Sequence, residues 1–212
     1  MLDLRNDVYR RPLAVALERL GVGKGWKVAD VGAGQGDVAV ALAALVGREG
    51  RVWAVDRDPA SRDRVAESAA QYAQVVAVTQ AVEELRLPEQ LDLVYCRFLL
   101  IHVEDPLLAL TKMASAIRPG GFLLAQEPIT SAGRIEGIPL SMPDARHPDV
   151  GALLPGMVRR AGLALEDAWA EALAGAGPGP VSAYLASLTG VDPGEDSVVL
   201  PPLVTVIGRR TS

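Results

Sequence analysis

Val28-Ala-Asp-Val-Gly-Ala-Gly-Gln-Gly-Asp37 reads as a short buried strand that breaks into a glycine turn and opens a helix. Val28, Ala29 and Val31 form an apolar run suited to a strand covered on both faces. Gly32, Gly34 and Gly36 follow at every second position, where a missing side chain lets the backbone turn tightly and lie against a ligand. Val38 to Val46 continues as a helix, so the turn sits at a helix N-terminus, whose free N–H groups favour an anion or a polar ligand.

The glycine spacing separates two nucleotide-like ligands. A dinucleotide fold requires G-x-G-x-x-G, the last glycine packing helix on strand. That position is held here by Asp37, whose carboxylate would repel a diphosphate, and Asp30 adds a second carboxylate at the strand's end. A cationic ligand bearing an amino group suits the pair better. The stretch resembles the first motif of the class I S-adenosylmethionine-dependent methyltransferases: an acidic residue, one spacer, then G-x-G-x-G. The resemblance implies that Asp30 lies near the methionine part of the cofactor and that Gly32, Ala33, Gly34 and Gly36 pass beside it.

Downstream residues extend this reading. Arg51-Val-Trp-Ala-Val-Asp56 is a second strand ending in an acid, 24 residues beyond Gly32, where a carboxylate can accept both ribose hydroxyls. Arg57 follows it as a further cofactor contact. Asp58 before Pro59 is instead a helix N-cap with proline at the first helical position. A third strand, Val75 to Val78, leads to Thr79-Gln-Ala-Val-Glu-Glu-Leu85. Members of the resembling family commonly place an acid for the adenine amino group at the position of Ala81. Alanine cannot bond, which leaves the Val82 backbone and Glu83 to contact the base. Leu91 to Cys96 is a fourth strand, and the rule that parallel sheets bind ligands at strand C-terminal ends brings Arg97 and Phe98 to the site, lining the floor under the methyl group. Asp105 caps the next helix, Leu107 to Ile117, which Arg118-Pro-Gly-Gly121 closes before a fifth strand, Phe122 to Glu127. These blocks resemble the later motifs of the family, in its order, over residues 24 to 128.

Candidate catalysts are fewer. His102 can serve as a general base near neutral pH, although related enzymes carry a histidine there whose part is packing or cofactor contact. His147, in Ala-Arg-His-Pro-Asp, is a second candidate base or a polar turn residue. Met142 and Glu127 are pocket candidates, and Tyr9 and Arg10, in an amphipathic helix from Val8 to Leu20, are candidate lid residues. Pro128 to Pro155, without a clear period, is the substrate-side segment. Helices over 151–161 and 181–188 and strands over 163–170 and 198–207 complete the chain, with Gly175 to Pro180 as a turn-forming break.

Composition bounds the rest. The chain has 212 residues, half of them hydrophobic and 4% aromatic, with a net charge of −5, which disfavours nucleic acid as a partner. Cys96 is the only cysteine, so no internal disulfide forms. The first residues lack a basic start followed by an apolar run, and no apolar stretch is long enough for a membrane span. The reading is cytoplasmic, a monomer or homodimer, without a metal. The expected fold is one α/β Rossmann-like domain: an N-terminal helix (1–23), a cofactor-binding core (24–128), a substrate-side segment (129–155) and a C-terminal part (156–212). By resemblance, a seven-stranded, mostly parallel sheet takes the order 3-2-1-4-5-7-6 with helices on both faces. The implied activity is transfer of the methyl of S-adenosylmethionine to an O, N or C atom of a small organic acceptor, with S-adenosylhomocysteine as product. Two rivals are a degenerate fold that binds cofactor or a partner without turnover, and an NAD(P)-dependent oxidoreductase, which shares Asp56 but wants the third glycine.

Overall fold

Strand β1 (Lys27–Val31) lies inside the sheet, and every residue of it after Lys27 is buried, as its apolar run requires. The computed structural model describes residues 2–88, 90–140 and 145–212. Helix α1 (Leu2–Leu20) precedes β1; α2 (Asp37–Val46), β2 (Arg51–Asp56), α3 (Pro59–Ser68), β3 (Val75–Thr79), β4 (Leu91–Arg97), α4 (Pro106–Ala116) and β5 (Ile117–Pro128) follow. Then come β6 (Arg134–Ile135), β7 (Ile138–Pro139), α5 (Val150–Arg160), β8 (Ala164–Glu171), β9 (Ala174–Ala176), α6 (Pro180–Thr189), β10 (Ser197–Val199) and β11 (Leu203–Arg209).

The main sheet has seven strands in the order β3-β2-β1-β4-β5-β11-β8. Counting its strands alone along the chain, this is the expected 3-2-1-4-5-7-6. Strands β1 to β5 are parallel, while β11 runs antiparallel to both β5 and β8. One buried core cluster joins α4 and α5 to the sheet, and another joins α1 and α2 to it. Between α1 and the sheet, the Tyr95 hydroxyl donates to Gln126 Oε1 at 2.8 Å, and Gln126 Nε2 donates to Thr205 Oγ1 at 3.1 Å, which satisfies polar groups that burial would otherwise leave bare.

Several boundaries differ from the sequence reading. Strand β5 begins at Ile117 and not at Phe122, so Arg118-Pro-Gly-Gly121, read as the turn before it, lies inside the strand, where Ile117 pairs with Leu91. Helix α1 starts at Leu2 rather than Val8, because its first turns are held by a tertiary contact: Arg97 Nη2 donates to Asn6 Oδ1 at 3.3 Å. The helix after β2, whose composition is helical from Pro59 to Gln74, stops at Ser68, whose hydroxyl donates to the Gln35 carbonyl at 2.8 Å. The expected last strand over 198–207 splits at Pro201-Pro202, which have no N–H to continue a ladder. Its first part, β10, pairs with β6 and β9, and with β7 these make a second, four-stranded sheet that the sequence reading lacked. Both expected caps form: Asp58 accepts from the Ala60 N–H, and Asp105 from the Leu107 and Leu108 N–H groups.

Candidate active site

The glycine turn after β1 is held from two sides. The Gly32 and Ala33 N–H groups donate to the Val55 carbonyl at 2.8 and 3.0 Å, and the Gly34 N–H donates to Asp56 Oδ2 at 2.8 Å. From α3, the Ser61 hydroxyl donates to the Gly34 carbonyl at 2.6 Å and Ser68 holds that of Gln35. Gly36 is where side-chain absence matters most: at φ +87°, a Cβ would lie 2.6 Å from Ser68 Oγ and 3.2 Å from Val65 Cα. Gly36→Ala therefore meets both the left-handed penalty and an overpacked contact with α3, and is expected to lower stability by about 2 kcal/mol in urea denaturation. A loss under about 0.5 kcal/mol, the ordinary range of a surface change, would show that the turn relaxes freely.

Two carboxylates flank this turn. Asp30 is buried, and its Oδ2 has no hydrogen-bond partner among the described residues. Burial pushes its pKa up to about 7, against the pull of Arg97, the Ala39 N–H and Arg5 and with a further push from Asp56. It lines a narrow crevice with Asn6, Ala33 and Asp37 that adjoins the main cleft at Arg5, Gly32 and Arg97. Asp56, half-buried at the end of β2, faces the main cleft, a cavity of about 280 Å³. Its two oxygens accept from the Gly34 and Asp58 N–H groups, at 2.8 and 2.9 Å, and each keeps a second lone pair for a ligand. Arg57, Val82 and Glu83 line the same cleft. So does Gln80, which the sequence reading passed over; its side-chain oxygen is fixed by the Arg86 N–H at 3.0 Å. Ala81 precedes the short 3-10 turn Val82–Glu84.

The end of β4 carries the floor. Arg97 is buried, with Nη1 donating to the Tyr9 carbonyl at 3.3 Å, and its guanidinium lies 5.9 Å from the Tyr9 ring and 5.8 Å from the Phe98 ring. Phe98 sits at φ +53°, a left-handed conformation costly for a bulky residue and typical of constrained sites. The turn that follows is held by Glu127, whose Oε1 accepts the Leu99 and Leu100 N–H groups, each at 2.9 Å. Glu127 is fully buried, so it supports the floor from beneath instead of lining a pocket as the sequence reading had it. Burial raises its pKa to about 7, opposed by the N–H groups of Leu100, Leu99 and Ile101.

Beyond the floor lies a second, more apolar pocket. Tyr9, Phe98, Ile101, Tyr184 and Leu188 are among its walls, and Arg5, Phe98 and His102 line both it and the main cleft. His102 thus stands at the junction. Tyr9 is a pocket wall, its ring 4.9 Å from Phe98 and 5.6 Å from Tyr184 in edge-to-face contacts. Arg10 is not part of either cavity; it is exposed and pairs with Asp7 at 3.1 Å. His147 is also not brought to the cleft. Its Nε2 lies 3.2 Å from the Glu104 carbonyl, and it lines a separate groove with Leu107, Leu153 and Met157. Met142 falls outside the described residues. Arg5 and Tyr184 carried no sequence signal, since only folding brings α1 and α6 to the ends of β4 and β5.

Residues 28–121 match the family described as "Methyltransferase domain". That match covers less than half of the chain, and over it the chain is similar to methyltransferases. It is 34% identical over 136 residues to the ubiquinone/menaquinone biosynthesis C-methyltransferase UbiE of Cellvibrio japonicus, covering 59% of this chain and 54% of that protein. It is 33% identical over 124 residues to a demethylmenaquinone methyltransferase of Staphylococcus aureus, covering 58% and 50%. The chain thus spans about half the length of the curated relatives it matches. Among solved structures, the YcgJ protein of Bacillus subtilis superposes with a TM-score of 0.76 at 14% identity, over 96% of this chain and 99% of that one, a likeness of fold.

Proposed function

We propose that the chain transfers the methyl group of S-adenosylmethionine to an O, N or C atom of a small organic acceptor, releasing S-adenosylhomocysteine. One observation carries this reading: a cleft whose glycine turn is flanked by Asp30 and Asp56 adjoins, past Phe98 and His102, an apolar pocket. The C-methyl transfer named for the UbiE relative supports carbon as one of the acceptor atoms.

The residues present fit the cofactor that the family implies. Asp30, with one buried oxygen lacking a partner among the described residues, suits a cationic amino group. Asp56 keeps lone pairs for ribose hydroxyls, and the Val82 backbone with Gln80 and Glu83 borders the place for a base, where Ala81 supplies no acid. When bound, S-adenosylmethionine supplies a methyl group already activated on a sulfonium centre. The protein's contribution is then largely alignment. The glycine turn and Asp56 fix the nucleoside side, Phe98 forms the floor, and the apolar pocket seats the acceptor away from bulk water. His102, at the junction, takes the proton that a heteroatom acceptor gives up.

Calorimetric titration tests the cofactor. Micromolar binding of S-adenosylmethionine and S-adenosylhomocysteine, with none of NADH, is the expected result; binding of NADH alone would overturn the reading. Cofactor binding without transfer to any of a broad acceptor panel would favour a non-catalytic fold. His102→Ala is expected to leave S-adenosylhomocysteine affinity unchanged while lowering turnover on a hydroxyl acceptor by about 100-fold, the lower range for a lost general base. Near-normal turnover would return His102 to a packing role.

A further inference from the structure

The second pocket combines features that select a ligand by charge as well as shape. Tyr9 stands edge-to-face to Phe98 at 71° and to Tyr184 at 83°, so the rings make walls at near right angles, a corner that a flat ring can enter with one face and one edge in contact. Of the described residues lining this pocket, Arg5 is the only one with a fixed charge, and none is acidic. In a chain of net charge −5 this is a local reversal. The Arg5 Nε is buried and has no hydrogen-bond partner among the described residues, and the residue lines this pocket with its charge unmatched by any acid in the wall. The charge of Arg5 reaches both tyrosine hydroxyls, yet burial raises the pKa of Tyr9 and Tyr184, so the phenols stay neutral and do not supply the missing anion.

We infer that the acceptor is an aryl anion, a planar ring carrying a carboxylate, whose ring seats among Tyr9, Phe98 and Tyr184 and whose charge is met by Arg5. This rests on the methyltransferase reading above and deepens it. A cationic amine acceptor would face Arg5 without a counter-charge in the pocket, and a neutral ring would leave the charge of Arg5 unmet. A guanidinium suits a carboxylate because its planar donors match the two oxygens. The competing assignment gives Arg5 to the methionyl carboxylate of the cofactor, since Arg5 also lines the main cleft and the Asp30 crevice. Arg97 is the other guanidinium of that crevice, and of the two only Arg5 also lines the pocket around Tyr9 and Tyr184, which leaves Arg5 for the acceptor side.

The test is calorimetry on protein saturated with S-adenosylhomocysteine, using benzoate, 4-hydroxycinnamate and 2-naphthoate, each against its own carboxamide. The acids are expected to bind at least about ten-fold more tightly than their amides. That preference should vanish in Arg5→Gln and partly survive in Arg5→Lys, with S-adenosylhomocysteine affinity changed by less than about three-fold in both, since a ten-fold change is one ordinary hydrogen bond. Equal binding of acids and amides, no binding of any acid, a preference that survives Arg5→Gln, or a loss of S-adenosylhomocysteine affinity in that variant each overturns the proposal. Failure of wild-type protein to bind S-adenosylhomocysteine strikes instead at the methyltransferase reading, and the acid and amide comparison on free protein then still decides the pocket.

Discussion

Glu127→Ala is expected to lower the unfolding free energy by about 3 kcal/mol, whereas Glu127→Gln should be nearly neutral at pH 5 and stabilising at pH 8. The alanine variant strips an acceptor from two N–H groups bonded at 2.9 Å in a fully buried setting, and each orphaned donor costs roughly 1–3 kcal/mol. It also frees the turn that keeps Phe98 at positive φ. Glutamine behaves differently because Oε1 makes both contacts while Oε2 has no partner among the described residues. An amide oxygen can therefore replace Oε1, much as the protonated acid does. Burial holds the folded-state pKa of Glu127 near 7, above its ordinary 4.5, so between those values the folded protein binds more protons than the unfolded chain. Stability from this group is complete below about pH 4.5 and declines as pH rises towards 7. Asp30, raised from 3.8 to about 7, gives a second decline of the same sign. Glu127→Gln removes one share of that slope, a gain on the order of 3 kcal/mol over wild type at pH 8. Urea denaturation at the two pH values reads all of this. A parallel pH dependence in wild type and Glu127→Gln would mean that Glu127 is not the titrating group, and an alanine variant within about 1 kcal/mol of wild type, less than one orphaned donor, would mean that the turn is held by other contacts.

Glu127 also shows where reading the chain succeeds and where it stops. The main cleft was legible because its parts lie on consecutive βα units, each with local chemistry. Glycines at 32, 34 and 36 mark a turn with positive φ, an acid closes β2, and aspartate before proline marks two helix starts. Parallel connection then sets those turns side by side at one edge of the sheet. The second pocket was not legible, because it is assembled from α1, the end of β4, the start of the segment after β5, and α6, whose residues meet only in three dimensions. Arg5 in Leu-Arg-Asn and Tyr184 in Ala-Tyr-Leu have no neighbours in sequence that hint at a pocket. Glu127 ends an apolar strand, a place where ligand contact and a buried structural role look identical until burial is known. For His147 the sequence left a base and a polar turn residue open, and the fold places it by the Glu104 carbonyl, as the second of these describes. The second sheet was invisible because its strands are only two or three residues long, too short for an alternating pattern.

Asp56→Ala is expected to weaken S-adenosylhomocysteine binding by about 100-fold, close to 3 kcal/mol. Loss of the ribose hydrogen bonds accounts for only part of this. The same carboxylate accepts the Gly34 N–H at 2.8 Å and the Asp58 N–H at 2.9 Å, so it also sets the distance between the glycine turn and the end of β2. Removing it leaves the Gly34 amide without that acceptor and lets the turn shift away from the position a nucleoside needs, so the free protein must reorder before it binds. Asp56→Asn separates the two effects, because one side-chain oxygen stays as an acceptor while the other becomes a donor facing an N–H group. Its affinity loss should be intermediate, about ten-fold, with one of the two backbone contacts broken. Calorimetric titration of both variants distinguishes the outcomes: unchanged affinity in Asp56→Ala would remove this residue from the cofactor site, and equal losses in both would assign the effect to charge alone. The aryl acid preference of the second pocket should persist in Asp56→Ala, because Asp56 lines the main cleft and not the pocket around Tyr9 and Tyr184.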